Sequence, residues 1–299
     1  MAVLRTPDVR FENLPGFEFD ANYLEVQDPD LGALRIHYLD EGPEDGPVVL
    51  CLHGEPTWCY LYRKMIPVFT AAGIRVLAPD LVGFGRSDKP AQREDYSYRK
   101  HVQWMLDWLR QTGASDITLV GQDWGGLIGL RLLAENPGLF ARFSISNTGL
   151  PTGDHPVNEA FHRWRKFSQE DPVFDTGMIV NLFGHGSLSN AEIEAYRAPF
   201  PSDEYKAGAR QFPVLVPTEP GNAAAADNRR AWKALMQWDK PALMCFSDAD
   251  PIMAGGDQPF LKLVPGTQGQ PHITLKGRHF IQEEDGENWA QAVVSWMGP

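Results

Sequence analysis

Only three cysteines, Cys51, Cys59 and Cys245, occur in 299 residues. They are too few and too scattered for a disulfide framework or a zinc site, and the apolar runs around Cys51 and Cys245 predict buried thiols. No apolar run approaches the length of a membrane span. The opening Met1-Ala-Val-Leu-Arg-Thr-Pro7 lacks the apolar core of a signal peptide, so a cytoplasmic protein, and a monomer, is expected. Positive charge is the scarcer sign: 27 Lys and Arg against 39 Asp and Glu leave a net charge of −12. That balance argues against nucleic acid and anionic membranes as partners. Gly-rich phosphate loops, His-Glu-x-x-His and metal-ligand spacings are missing too, so neither a metal nor a cofactor is expected. Repeats and low-complexity tracts are absent apart from a short alanine run at 223–226, read as a helix start.

A hydrophobic fraction of 43% with 22% charged residues suits a globular protein. The length allows one large core with an inserted lid, or two domains. Apolar runs at 48–53, 74–80, 117–120, 142–147, 242–246 and 272–275 read as buried strands. Helical stretches separate them. One spans 98–112, with Val102, Met105, Leu106 and Leu109 on one face and Gly113 as its stop, and a last one spans 288–297. Alternating runs at 17–20 and 33–39 predict an opening antiparallel pair. This rhythm predicts an α/β fold: a mostly parallel central sheet flanked by helices. It breaks between 150 and 216, a segment rich in aromatics and prolines with a capping-box start at Ser189-Asn-Ala-Glu192. The expected division is a main domain of 1–149 and 217–299, with a helical cap domain of 150–216 inserted.

Val120-Gly-Gln-Asp123-Trp-Gly-Gly126 joins a buried strand to an amphipathic helix. This is the strand–elbow–helix pattern of α/β-hydrolases, Gly-x-Ser-x-Gly, with Asp123 where the serine would be. A serine needs a base before it can attack. A carboxylate is already ionised and can displace a leaving group from saturated carbon, forming an ester that water must then cleave. The plain alternative is that Asp123 only caps the following helix.

Two further groups fall beyond strand ends in the chain order nucleophile, acid, histidine. Asp250 follows the strand at 242–246, and His279 follows the strand at 272–275. His279 could take a proton from water, and Asp250 could fix its tautomer. Asp248 is the rival acid. The backbone N–H groups of Glu55, in His53-Gly-Glu-Pro56, and of Trp124 could converge as an oxyanion hole. The indole N–H of Trp124, a donor without charge, could hold a departing anion without blunting the carboxylate. Trp164, in Phe161-His-Arg-Trp164, is a possible partner.

His53-Gly-Glu-Pro-Thr-Trp58, Asp80-Leu-Val-Gly-Phe-Gly-Arg-Ser-Asp88, Gly121-Gln-Asp-Trp-Gly-Gly126, Ala198-Pro-Phe-Pro201 and His279-Phe-Ile-Gln-Glu283 together resemble the haloalkane dehalogenases. The likeness is greatest to the subfamily with Glu after His-Gly and a late catalytic acid; Glu55 and Asn147 stand where the sister subfamilies have Asn and the acid. The resemblance implies Asp123 as nucleophile, His279 as base and Asp250 as its acid, with the halide held by Trp124 and Trp164. It implies an apolar pocket of Leu127, Phe161, Phe212, Pro213, Val216 and Ile252. The partners would be a small halogenated hydrocarbon, halide and water. Two alternatives remain: an epoxide hydrolase using Tyr196 and Tyr205 as cap donors, and a non-catalytic ligand-binding protein on the same fold.

Overall fold

The computed structural model describes residues 2–298. Its strands are β1 (Val3–Leu4), β2 (Asn22–Asp28), β3 (Gly32–Glu41), β4 (Val48–Leu52), β5 (Arg75–Pro79), β6 (Lys89–Pro90), β7 (Ile117–Gln122), β8 (Phe140–Ser146), β9 (Ala242–Ser247) and β10 (Ile273–Leu275). The α-helices are α1 (Ile66–Ala71), α2 (Tyr98–Thr112), α3 (Trp124–Glu135), α4 (Glu159–Glu170), α5 (Thr176–Phe183), α6 (Asn190–Arg197), α7 (Ala207–Leu215), α8 (Ala225–Leu235), α9 (Gln258–Leu263), α10 (Ile281–Glu284) and α11 (Gly286–Met297). This is the α/β-hydrolase fold.

Every residue of β4, β7 and β9 is buried, which is why these strands read as continuous apolar runs rather than alternating ones. The eight-stranded sheet has the order β10-β9-β8-β7-β4-β5-β3-β2. Strands β10 to β5 are parallel, and β3 lies antiparallel on β5. The opening antiparallel pair forms, but with β2 rather than with 17–20: Asn22 faces Tyr38 and Asp28 faces Gly32. The aromatics of 17–20 go elsewhere. Phe17 is buried with its ring 5.0 Å from Trp58 and 5.3 Å from Phe19, so this alternation reports an aromatic cluster, not a ladder.

Local signals act as their chemistry requires. Ser97 accepts from the Lys100 N–H at the start of α2, and Gly113 ends it at φ 69°. The capping box of Ser189 and Glu192 opens α6. Helix α3 is buried on nearly every face because it lies directly on the sheet. A Cβ at Gly125 would occupy the space of the Leu52 carbonyl, so only glycine permits this approach. Among the described residues no strand interrupts α4 to α8, the stretch between β8 and β9. No helix among them is long and apolar enough to cross a membrane.

All of this places one edge of the sheet. The carboxyl ends of β4, β7, β8, β9 and β10 face the same side, and the chain order reverses between β4 and β7. A crevice opens at such a reversal.

Candidate active site

Strand β7 delivers Asp123 into that crevice with φ 51° and ψ −129°, a backbone state that L residues rarely adopt. Holding it costs on the order of 1–3 kcal/mol, met by the surrounding packing. Asp123 stands at the N-cap position of α3, yet its side chain makes no capping hydrogen bond. Its backbone carbonyl instead accepts from the N–H groups of Gly126 and Leu127 and from Thr148 Oγ1. The carboxylate points away, and its Oδ1 accepts the Glu55 N–H at 2.8 Å. The helix-capping alternative therefore fails. Gly54 is required here, because a Cβ would collide with the Asp123 carboxylate.

His279 lies between two carboxylates. Its Nδ1 is 2.7 Å from Asp250 Oδ2, and its Nε2 is 3.5 Å from Asp123 Oδ2. Burial works against charge on the ring, but Asp250 and Asp123 together outweigh it and raise its pKa to about 10. Burial likewise opposes the charge of Asp250, and the facing imidazolium wins, holding the acid below its usual range. The rival Asp248 turns outward, to Lys276 Nζ at 2.8 Å and the Gly277 N–H at 3.1 Å. Asn147, at the end of β8 with φ 41°, is not a proton partner of the ring. Its Nδ2 donates to the carbonyls of Arg278 and His279, and its Oδ1 accepts from Ser247. Gln122 Nε2 also donates to the His279 carbonyl at 3.0 Å, so two amides fix the turn that carries the imidazole.

The loop after β4 is held from beneath. His53 is fully buried; its Nε2 accepts the Leu81 N–H at 2.9 Å, and its Nδ1 is 2.9 Å from the Gly54 carbonyl. Burial lowers its pKa, and the neutral ring with Nδ1 as donor satisfies both contacts. Buried Asp80 gathers the His37 ring and the N–H groups of Cys59 and Arg86, which pins the glycine-rich loop above. Together these bonds hold the Gly54–Glu55 peptide in place. The Glu55 side chain is a feature that sequence reading missed. It lines the same cavity, 4% exposed, and burial together with Asp123 pushes its carboxyl well above the usual range. The signal was an acid between a buried strand and a proline.

A cavity of about 330 Å³ lies over these groups. Asp123, His279, Glu55, Trp124 and Trp164 all line it, as do Leu127, Phe161, Pro213, Val216 and Ile252. Phe212 does not. It is buried behind Trp124, ring on ring at 4.4 Å and 18°, while Tyr98 meets the other side of the indole edge-on at 4.9 Å. Phe212 therefore sets the plane of the indole instead of touching the cavity. Ile179, Phe183, Met253 and Phe280, unforeseen from the sequence, complete the apolar wall. Five of the nine indoles donate to protein acceptors. Among the described residues the other four, Trp108, Trp124, Trp164 and Trp238, have no such acceptor, and of these Trp124 and Trp164 line the cavity. The Tyr196 hydroxyl is spent on Glu283, and neither Tyr196 nor Tyr205 lines the cavity.

The α/β hydrolase fold family matches residues 47–286. A haloalkane dehalogenase of Psychrobacter cryohalolentis is 57% identical over 298 residues, 99% of this chain and 98% of that one. One from Mycolicibacterium paratuberculosis is 51% identical over 297 residues, 99% of each chain. Among solved structures, the tetrameric haloalkane dehalogenase DpaA of Paraglaciecola agarilytica superposes over 100% of both chains with a TM-score of 0.91 and 36% identity. With its fold and nearly its whole length shared with such enzymes, the chain belongs to the haloalkane dehalogenases, hydrolases that act on carbon–halogen bonds.

Proposed function

We propose that this enzyme converts a halogenated alkane and water to alcohol, halide and a proton through an ester on Asp123. The observation that carries this reading is the Asp123 carboxylate: it sits on a strained elbow, faces the cavity and makes no helix cap. With Oδ1 held by the Glu55 N–H, Oδ2 is the oxygen that attacks carbon. The carbon–halogen bond breaks as the carbon–oxygen bond forms, and the indole N–H groups of Trp124 and Trp164 receive the halide. Water then adds to the ester carbonyl carbon and gives a proton to His279 Nε2. Negative charge gathers on Oδ1, facing the N–H groups of Glu55 and Trp124, the latter in the first turn of α3 where the helix dipole favours it. Asp250 holds the other ring proton and stabilises the imidazolium. Collapse breaks the bond from Cγ to Oδ2, the alcohol leaves with the proton from His279, and the Asp123 carboxyl, now carrying the water oxygen, gives up the second water proton to solvent. Dry walls strengthen each of these polar contacts.

An epoxide hydrolase needs hydroxyl donors over the nucleophile, and the engagement of Tyr196 with Glu283 speaks against it. A binding protein has no use for three groups in proton-transfer order. Residues 150–216 are proposed as the cap domain, supplying Phe161, Trp164, Pro213 and Val216 to the cavity. The cytoplasm is the proposed compartment, supported by three unpaired, buried thiols. The monomer is also proposed, and light scattering tests it against the tetramer of the Paraglaciecola enzyme. Halide release from chlorinated, brominated and iodinated alkanes, followed at constant pH, tests the reaction; no release from any of them would overturn it.

A further inference from the structure

Helix α5 ends against the loop that carries the histidine. The last carbonyls of an α-helix have no partner within it. In α5 those of Val180 and Asn181 accept from the N–H groups of Gly184 and Gly186. The next three are met from outside the helix. The carbonyls of Leu182 and Gly184 both accept from Arg278 Nη1 at 3.4 Å, and that of Phe183, between them, accepts the His279 N–H at 3.2 Å. A further contact ties the same turn down. His185 Nε2 lies 2.7 Å from Glu284 Oε2, which also accepts the Arg278 N–H at 3.1 Å. The Glu284 carboxylate is enclosed: a Cβ at Gly277 would lie 2.7 Å from it and one at Gly184 3.2 Å.

The backbone of His279 is therefore held at both of its polar groups. Asn147 and Gln122 take its carbonyl, and Phe183 takes its N–H. The side chain of Phe183 does something different. It lines the cavity and meets the Trp164 indole edge-on, ring centroids 5.3 Å apart at 74°. Phe167 and Phe174 also pack on that indole, at 5.9 and 6.1 Å, but of the three rings only Phe183 reaches the cavity. One residue thus touches a candidate halide donor with its ring and the histidine with its backbone.

We infer that Phe183 is a positioning residue for both steps of the reaction: its ring sets the plane of the Trp164 indole, and its carbonyl sets the peptide that carries the His279 ring. The inference rests on the haloalkane reading and adds a coupling to it. Displacing the turn at 182–185 moves halide donor and base together.

The test separates ring from carbonyl. Bromide titration by tryptophan fluorescence reads the first, and decay of the alkyl-enzyme mass after a single turnover of 1-bromopropane reads the second. Phe183→Leu keeps the carbonyl, so it should raise the bromide Kd at least about threefold, as packed neighbours couple, and leave the decay unchanged. Arg278→Met combined with His185→Ala removes side chains that hold the turn and lie outside the cavity wall. That pair should slow the decay about tenfold, because a small misplacement of a reacting group is costly, and should weaken bromide too. In the Phe183→Leu background it should still slow the decay but no longer weaken bromide. Arg278→Lys, which keeps a charged donor, should restore most of both. Leu182→Ser, at a side chain 63% exposed in the same turn, should change neither. Bromide affinity unmoved by Phe183→Leu, or a decay unmoved by the Arg278 and His185 pair, would overturn the inference alone. Effects of equal size from Leu182→Ser would overturn it as well, since they would mark a general loosening of the turn. Absence of halide release by the wild type with every bromoalkane overturns the haloalkane reading and this inference with it.

Discussion

His279 Nε2 stands 3.5 Å from Asp123 Oδ2, close enough for the two charges to feel one another before any substrate arrives. The ring is held charged by two carboxylates, Asp250 on one nitrogen and Asp123 on the other. Alkylation of Asp123, as proposed, would erase one of those charges. The proton affinity of the ring would then fall at the moment when a base is needed, and the proton would be free to leave. In the proposed mechanism, ester formation would thereby convert an imidazolium into the base for the second step.

The two steps should separate when His279 is replaced by Phe. Displacement needs only the Asp123 carboxylate and the halide donors, whereas ester hydrolysis needs the ring. The variant should release about one halide per active site and stop. Intact mass should rise by the alkyl group, and peptide mapping should place it on Asp123. Many turnovers without an adduct would show that water attacks the substrate directly.

Asp123→Asn should fold normally and lose turnover on the order of 10⁴-fold or more, since an amide is a poor nucleophile. Removing that charge should also lower the His279 pKa from about 10, as read from imidazole resonances by NMR. Mass spectrometry must exclude deamidation back to Asp. An unshifted ring would mean that Asp123 and His279 titrate independently.

The same coupling has a stability signature. The raised His279 pKa contributes stability that is fully present below its unfolded value of about 6.5 and is lost as pH rises through about 10. The lowered Asp250 pKa contributes above its unfolded value of about 3.9 and is lost on acidification. The Tm advantage of the wild type over Asp250→Asn should therefore be largest between about pH 4 and 6.5 and shrink on both sides. A difference that is flat with pH would remove the ion pair from the account.

The parts of this site carried by strand ends were legible because buried strands are apolar runs and their ends are short. Asp123, Asp250 and His279 each fell where a run stops, and the structure brings all three together. Side-chain direction was not legible. Phe212 and Pro213 are neighbours on α7, yet only Pro213 faces the cavity, because consecutive helix residues point about 100° apart and Phe212 is committed to the stack on Trp124. Glu55 was read for its backbone alone, since nothing in the sequence shows that its carboxyl is enclosed. The run at 17–20 misled for the converse reason: alternation records which side chains are buried, and an aromatic cluster buries alternate residues as a strand does.

Trp164→Phe keeps an apolar ring but removes one of two N–H donors lining the cavity. Loss of a hydrogen bond to a charged group costs about 1.5–3 kcal/mol, tenfold or more in the halide Kd. Bromide titration by tryptophan fluorescence reads it directly. The burst of halide from the His279→Phe background should slow in parallel, because in the proposed mechanism the same donor stabilises the departing anion. Unchanged affinity would move the second donor elsewhere in the cap.

Glu55 offers a sharper test of the electrostatics. Its carboxyl is enclosed beside Asp123, where a second negative charge would be repelled as well as unsolvated, and its Oε1 has no partner. A carboxyl whose folded pKa is raised contributes stability that is fully present below its unfolded value, about 4.3, and is lost as pH rises through the folded value. The unfolded chain gives up this proton at neutral pH and the folded chain keeps it, so the fold is penalised there. Glutamine has nearly the same shape and pays no such penalty. Glu55→Gln should therefore gain Tm relative to the wild type as pH is raised from about 5 to about 8, with little difference below about 4.3. Turnover at neutral pH should stay within a few fold, because the backbone N–H that faces Asp123 Oδ1 is untouched. A Tm difference independent of pH would mean that Glu55 is ionised in the folded enzyme.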